Sequence, residues 1–225
     1  DKCDLLLYMS RIALCLHKKI AIVDASKEQL LSYSIPNPLR NAVVTYRDVD
    51  VFLKCDNYEE YQKVQFDKYD IALIDYGFNG KLASEVKKDN LIVLVSDFEK
   101  PNIQGLKDFL RGYSAQKSMS GGESELQNKI KAIKLFRNIV NFKINTDYIS
   151  NLLETNDLME LVVEYNIYYD ERDYICKIGS QYNDYFKFAK LSKPYKNMLY
   201  DLFKNYLGFN DKEIKKAMRK AERGL

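Results

Sequence analysis

Residues 68–111 read KYDIALIDYGFNGKLASEVKKDNLIVLVSDFEKPNIQGLKDFLR, and in them strand, loop, helix, strand, loop and helix follow one another. Residues 69–75 form a short apolar run, and residues 91–96 form a second, rich in Leu, Ile and Val. Neither run alternates with polar residues, which is the pattern of strands buried on both faces of a parallel sheet. The first run ends on Asp75, followed by Tyr76, Gly77 and a polar loop. Ligands of open α/β sheets bind beyond the carboxyl ends of the strands, so Asp75 stands where a metal or phosphate contact is expected. An aspartate capping the next helix explains the same position equally well.

Working outward, the chain has 225 residues, 46% of them apolar, enough for one α/β domain with a sizeable core. A formal net charge of +3 does not demand a nucleic-acid partner. The four cysteines, Cys3, Cys15, Cys55 and Cys176, show no CxxC spacing, so neither a zinc site nor a disulfide framework is indicated. Three lie in or beside apolar segments and read as buried free thiols. No apolar stretch reaches the roughly 18 residues of a membrane span, and no signal peptide is visible, so a cytoplasmic protein is expected. The single histidine, His17, ends a helix just before a strand and reads as a helix C-terminal residue rather than a catalytic base.

In chain order, residues 4–17 place Leu5, Tyr8, Met9, Ile12 and Leu16 at helical spacing. A basic turn then leads into IAIVD, a buried strand that ends on Asp24 and is followed by Ala25 and Ser26. A helix beginning at Glu28 is broken by Pro36 and Pro38. Residues 41–54 alternate like one or two strands, with an edge strand among them, and residues 56–66 form a Tyr-rich amphipathic helix. The Ser-, Gly- and Gln-rich stretch of residues 112–128 reads as a mobile loop. Residues 132–142 follow as a strand ending near Asn141, then a helix from Thr146, an apolar run over 160–169 and a helical region over 182–207 with Pro194 near a boundary. The tail, residues 210–225, is a basic helix with a thin apolar side of Ile214, Met218 and Ala221. It reads as a solvated helix, or alternatively as a contact for a membrane surface or nucleic acid. No internal repeat and no linker divides residues 1–225, so a single domain is expected.

Four segments taken together, DLLLYMSRIALCLHKKIAIVDAS, YDIALIDYGFNG, NLIVLVSDFEKPNIQGLKDFL and LFRNIVNFKINTDYI, resemble the ParA/MinD ATPases in order and spacing. The likeness is greatest to the divergent branch that includes the TadZ/CpaE pilus-assembly proteins, and it spans residues 4–207. It implies a P-loop NTPase-like fold, a Rossmann-like three-layer α/β sandwich with a mostly parallel sheet flanked by helices. By resemblance Asp24 takes the first strand-end acid position and Asp75 the Walker-B-type position, both toward Mg²⁺, while Ser26 follows the first acid. Gly77 falls in the switch region, where a glycine lets backbone approach a γ-phosphate, and Asn141 matches a strand-end Asn that reads adenine. The implied cofactors are ATP and Mg²⁺. The implied partners are a second copy of the chain and proteins of a pilus, secretion, conjugation or partition machine, with recruitment to the membrane periphery or cell pole.

The sequence departs from the family pattern at two places. The family's phosphate loop is glycine-rich and carries one or two lysines, yet no glycine precedes Gly77 here, and Asp1, Lys2 and Cys3 stand where that loop should finish. The strand expected before the loop, central in the family's sheet, is not in the sequence either. Either the chain begins just after the loop, or the loop is replaced by something else. Where the family has Asp-x-Asp, the chain reads Asp24-Ala25-Ser26, and a serine is a poor substitute for the carboxylate that positions the attacking water. The expected function is thus a nucleotide-dependent, dimerising switch with weak or absent ATP hydrolysis. A pseudo-ATPase scaffold that binds no nucleotide is the alternative. A receiver-like signalling domain is a further one, since KKIAIVDAS and YDIALIDYG also resemble acid-bearing receiver strands. With one histidine and no clustered cysteines, the usual nucleophile–base pairs cannot be assembled.

Overall fold

A computed structural model describes residues 2–37, 39–87, 89–120, 129–153, 159–182 and 188–224, with the side chains of 115–120 left aside. The chain is an α/β protein with mostly parallel sheets flanked by helices, and it divides into two compact units. The first unit comprises Asp1–Gly77 and Asp170–Leu225, and the second is Phe78–Tyr169.

The first unit opens with helix α1 (Cys3–Cys15), strand β1 (Ile20–Asp24) and a single helical turn, α2 (Leu31–Ser34). Strands β2 (Val43–Tyr46) and β3 (Val49–Phe52), the short helix α3 (Tyr58–Gln62) and strand β4 (Ile71–Asp75) follow. The sheet order is β2-β3-β1-β4, with β1 parallel to both β3 and β4 and β2 antiparallel at the edge. IAIVD is apolar at every position but its last, and every one of its residues is buried, as a central parallel strand requires. β2 and β3 join through Arg47 and Asp48, both in the left-handed region (φ 53° and 64°), which matches the right-handed twist of a tight hairpin. β4 is as apolar as β1, yet its first four residues are only half-buried, because among the described residues one of its edges is unpaired. The amphipathic helix expected over residues 56–66 is shorter, confined to α3 and followed by a 3₁₀ turn at Phe66–Lys68.

The chain returns to this unit with α7 (Glu171–Tyr182), α8 (Lys193–Asp201), a π-helical turn (Leu202–Tyr206) and α9 (Asp211–Glu222). α7 lies where no element was expected from the sequence, and within the helical region expected over 182–207 α8 begins at Lys193, where Ser192 caps it and Pro194 occupies its first turn. α1 packs on β1, β4 and α9. Tyr8 of α1 meets the rings of Phe188 and Tyr195 edge to face, each at 5.9 Å. His17 sits just beyond α1 at φ 60° and donates its N–H to the Leu14 carbonyl, a helix-ending role.

The second unit contains α4 (Gly80–Ala83), β5 (Leu91–Ser96), α5 (Lys100–Ser120), β6 (Ile130–Ile139), α6 (Thr146–Leu152) and β7 (Met159–Tyr168). Its three strands pair in parallel in the order β5-β6-β7. The two apolar runs of residues 68–111 therefore do not share a sheet: β4 belongs to the first and β5 to the second. Residues 112–120 correct the mobile-loop expectation, since they continue α5 as helix, while 121–128 lie outside the described residues. The buried face of α5, Ile103, Leu106, Leu110 and Tyr113, carries the helix through the polar composition of that stretch. Among the described residues no helix is long and apolar enough to cross a membrane.

Candidate functional site

β1 and β4 end together. Asp24 and Asp75 are register partners on these parallel strands, so two carboxylates stand side by side at the carboxyl edge of the sheet. A backbone bond holds the two ends level, the Ala25 N–H donating to the Asp75 carbonyl at 2.9 Å, while the Cys55 N–H, beyond β3, donates to the Asp24 carbonyl at 3.1 Å. α1 begins at the same edge, which puts Lys2 within 3.0 Å of Asp75 Oδ1 as an ion pair.

The two acids do different things. Asp24 is completely buried. Its Oδ1 accepts from the Ser26 hydroxyl at 2.6 Å and from the Ser26 N–H at 3.2 Å, and its Oδ2 accepts from the Leu31 N–H at 3.2 Å. Burial pushes its pKa up, the Ser26 hydroxyl opposes that shift, and neighbouring Asp75 adds to it. Asp24 is thus the organiser of the loop between β1 and α2. Gln29 completes the brace, donating its side-chain amide to the Asp24 carbonyl at 3.1 Å and accepting from the Lys54 N–H at the end of β3. Ser26 is inside this brace as well: it is buried, and its hydroxyl oxygen also accepts from the Gln29 N–H at 3.1 Å.

Asp75 is less enclosed in its bonding. Its Oδ1 accepts from the Gly77 N–H at 2.8 Å and from Lys2, whereas its Oδ2 carries no hydrogen bond among the described residues. The aspartate therefore closes the turn after β4 rather than capping α4, which starts only at Gly80. Gly77 turns at φ +53°, and a Cβ there would lie 2.7 Å from Glu28 Oε2 and 2.8 Å from Ser26 Cβ. The glycine is needed on both counts, and it brings the loops after β1 and β4 into contact. Cys3, in the first turn of α1, is buried and hydrogen-bonded to Ser34; burial drives its thiol up to about 11, and the charges of Asp75, Asp24 and Asp4 add to this. Such a thiol is protonated and inert at neutral pH.

Asp24, Ser26, Asp75 and Gly77 are thus brought together within the first unit. Asn141 belongs to the second unit, where it is exposed just beyond the end of β6. Sequence reasoning did not single out Lys2, Glu28 or Gln29. Lys2 carried one usable signal, a cation directly before a helix N-terminus that itself favours anions. Glu28 and Gln29 carried none, since their roles depend on loops that meet only in the fold.

A Mg²⁺ ion keeps several waters and takes one or two carboxylates together with phosphate oxygens. Asp75 suits that demand through its open oxygen, and Lys2 suits the phosphates; Asp24 has both oxygens committed to the loop. No group of three or more His, Cys, Asp or Glu side chains set to hold a metal occurs among the described residues. No family model and no curated protein matches this chain.

Proposed function

We propose that the chain is a ParA/MinD-like assembly or positioning factor. Its first unit would bind an adenine nucleotide with Mg²⁺ as a switch, with hydrolysis weak or absent. The observation that carries this reading is the pairing of Lys2 at the start of α1 with Asp75, beside Asp24, at the carboxyl ends of adjacent parallel strands. Lys2 would hold phosphate oxygens and Asp75 would hold the hydrated metal, so occupancy would part their ion pair. Weak turnover follows from Ser26, whose hydroxyl is engaged on Asp24 and Gln29 and so is not available to position water. In this reading the partners are a second copy of the chain and proteins of a pilus, secretion, conjugation or partition machine.

A nucleotide-independent scaffold is the second reading, favoured by the closure of the site on itself. The Gly77 N–H, a natural phosphate donor, is already taken by Asp75, and Asp24 is saturated by its own loop. Titration of labelled ATP with Mg²⁺ against the full-length protein, Asp75→Ala and Lys2→Ala separates the two. Micromolar binding lost in both variants supports the switch. Absence of binding at millimolar ATP overturns it in favour of the scaffold.

A further inference from the structure

Within the first unit an open groove of about 350 Å³ runs between α2 and the end of α7, a volume in the range of small-ligand sites. Leu30, Tyr33, Ser34, Gln181 and Tyr182 line it, and no charged side chain is among them. Tyr33 and Tyr182 are each 82% exposed and Leu30 is 42% exposed, so these side chains stand open at the surface instead of packing in the core. Two open rings on one groove offer faces on which a flat ligand can stack. The Gln181 side-chain amide has no hydrogen-bond partner among the described residues, which leaves a donor and an acceptor at the rim.

α2 ties the groove to the strand-end acids at two points. The N–H of Leu31, next to Leu30, donates to Asp24 Oδ2 at 3.2 Å. Ser34 is hydrogen-bonded to Cys3, which follows Lys2 directly and feels the charges of Asp75 and Asp24. Single residues, Leu31 and Cys3, thus link the groove wall to the acids.

We propose, building on nucleotide binding by the first unit, that this groove holds the base of the nucleotide whose phosphates meet Lys2, with Tyr33, Tyr182 and Gln181 setting its specificity. Every contact with the nucleotide then lies in the first unit, whereas the resemblance assigns the base to Asn141 of the second. Three features select a base. The lining offers no counter-charge, so the anionic end of a ligand is directed to Lys2 and its neutral end to the groove. Open aromatic faces stack planar heterocycles, an interaction every base can make. The Gln181 amide matches adenine, which shows an acceptor at N7 beside its 6-amino donor, and not guanine, which shows two acceptors there. A neutral sugar could lie on the same rings but has no anionic end to reach Lys2.

The test is calorimetric titration of the full chain with ATP, GTP and inorganic triphosphate, each with Mg²⁺. Tyr33→Ala/Tyr182→Ala, at exposed positions, should weaken ATP binding at least about tenfold and leave inorganic triphosphate within about twofold of wild type. Wild type should prefer ATP over GTP by about tenfold, and Gln181→Leu should reduce that preference to less than about threefold. Thermal melting verifies that both variants fold. Three results would overturn the groove assignment while leaving nucleotide binding in place: equal ATP affinity in wild type and the tyrosine variant, no preference for ATP over GTP, or a loss of ATP binding confined to Asn141→Ala. Absence of both ATP and triphosphate binding by wild type would overturn the groove assignment and nucleotide binding together.

Discussion

In the first unit two aspartates, Asp24 and Asp75, occupy register positions on adjacent strands; in the second, the corresponding kind of pair is Lys134 on β6 and Glu164 on β7. Like charges meet at the end of one sheet, and opposite charges meet in the middle of the other. Lys134 is buried, donates to the Ser150 carbonyl at 3.0 Å and the Ser150 hydroxyl at 3.1 Å, and that hydroxyl donates to Glu164. Asn166 donates to the other Glu164 oxygen at 3.1 Å. This network balances its own charge and fastens α6 to β6 and β7. The aspartates do not balance: Lys2 compensates one of them, and Asp24 relies on neutral donors. A closed charge pair is what structure alone requires. An open excess of negative charge at strand ends raises the expectation of a cationic ligand.

Four experiments can break or sharpen that contrast. The largest effect is expected from Asp24→Ala, which strands the Ser26 N–H, the Ser26 hydroxyl and the Leu31 N–H in a buried loop. Urea unfolding should show a loss of about 3 to 4 kcal/mol, with Asp24→Asn costing about half of that. A loss below about 1 kcal/mol would mean that Asp24 does not organise the loop. Next comes Gly77→Ala, which places a methyl group against Ser26 Cβ and Glu28 in the left-handed region; about 2 kcal/mol is expected in the same assay.

The closed network should respond more mildly. Lys134→Met is expected to cost about 1 to 2 kcal/mol, and Lys134→Met/Glu164→Leu to recover most of it, because apolar side chains replace two opposite charges bridged by the Ser150 hydroxyl at little net cost. Failure of the double variant to recover would show that the pair has a task beyond holding α6.

The smallest effect is a slope with pH. The folded pKa of Asp24 is raised by burial, so between its ordinary value of 3.8 and its folded value the folded state holds more protons than the unfolded one. Stability relative to Asp24→Asn should therefore fall as pH rises through that window and level off above it. A difference that instead grows with pH would mean the carboxylate is stabilised as an anion in the fold.

Much of this was legible beforehand, for identifiable reasons. IAIVD and IALID are unbroken apolar runs ending on acids, and such runs form parallel strands whichever partners they find, so the positions of Asp24 and Asp75 at strand ends could be read directly. The hairpin at Arg47-Asp48 was hidden because it lacks the Asn-Gly signature of its turn type. Residues 112–120 misled because their composition is that of a loop, while the apolar face of α5 preceding them propagates the helix. The tail was read with Met218 on its apolar side, whereas Ala217 is buried and Met218 only half so.

The sequence by itself determined that IAIVD, IALID and residues 91–96 become strands, and that two acids stand at strand ends, since apolar periodicity and chain breaks are local properties. Only the tertiary structure decided that the two acids are register neighbours, that one is saturated by its own loop while the other pairs with Lys2, and that Gly77 is pressed between Ser26 and Glu28. Partnership between residues distant in sequence depends on strand order and loop closure. No local pattern encodes those, because they are settled by how the whole sheet packs.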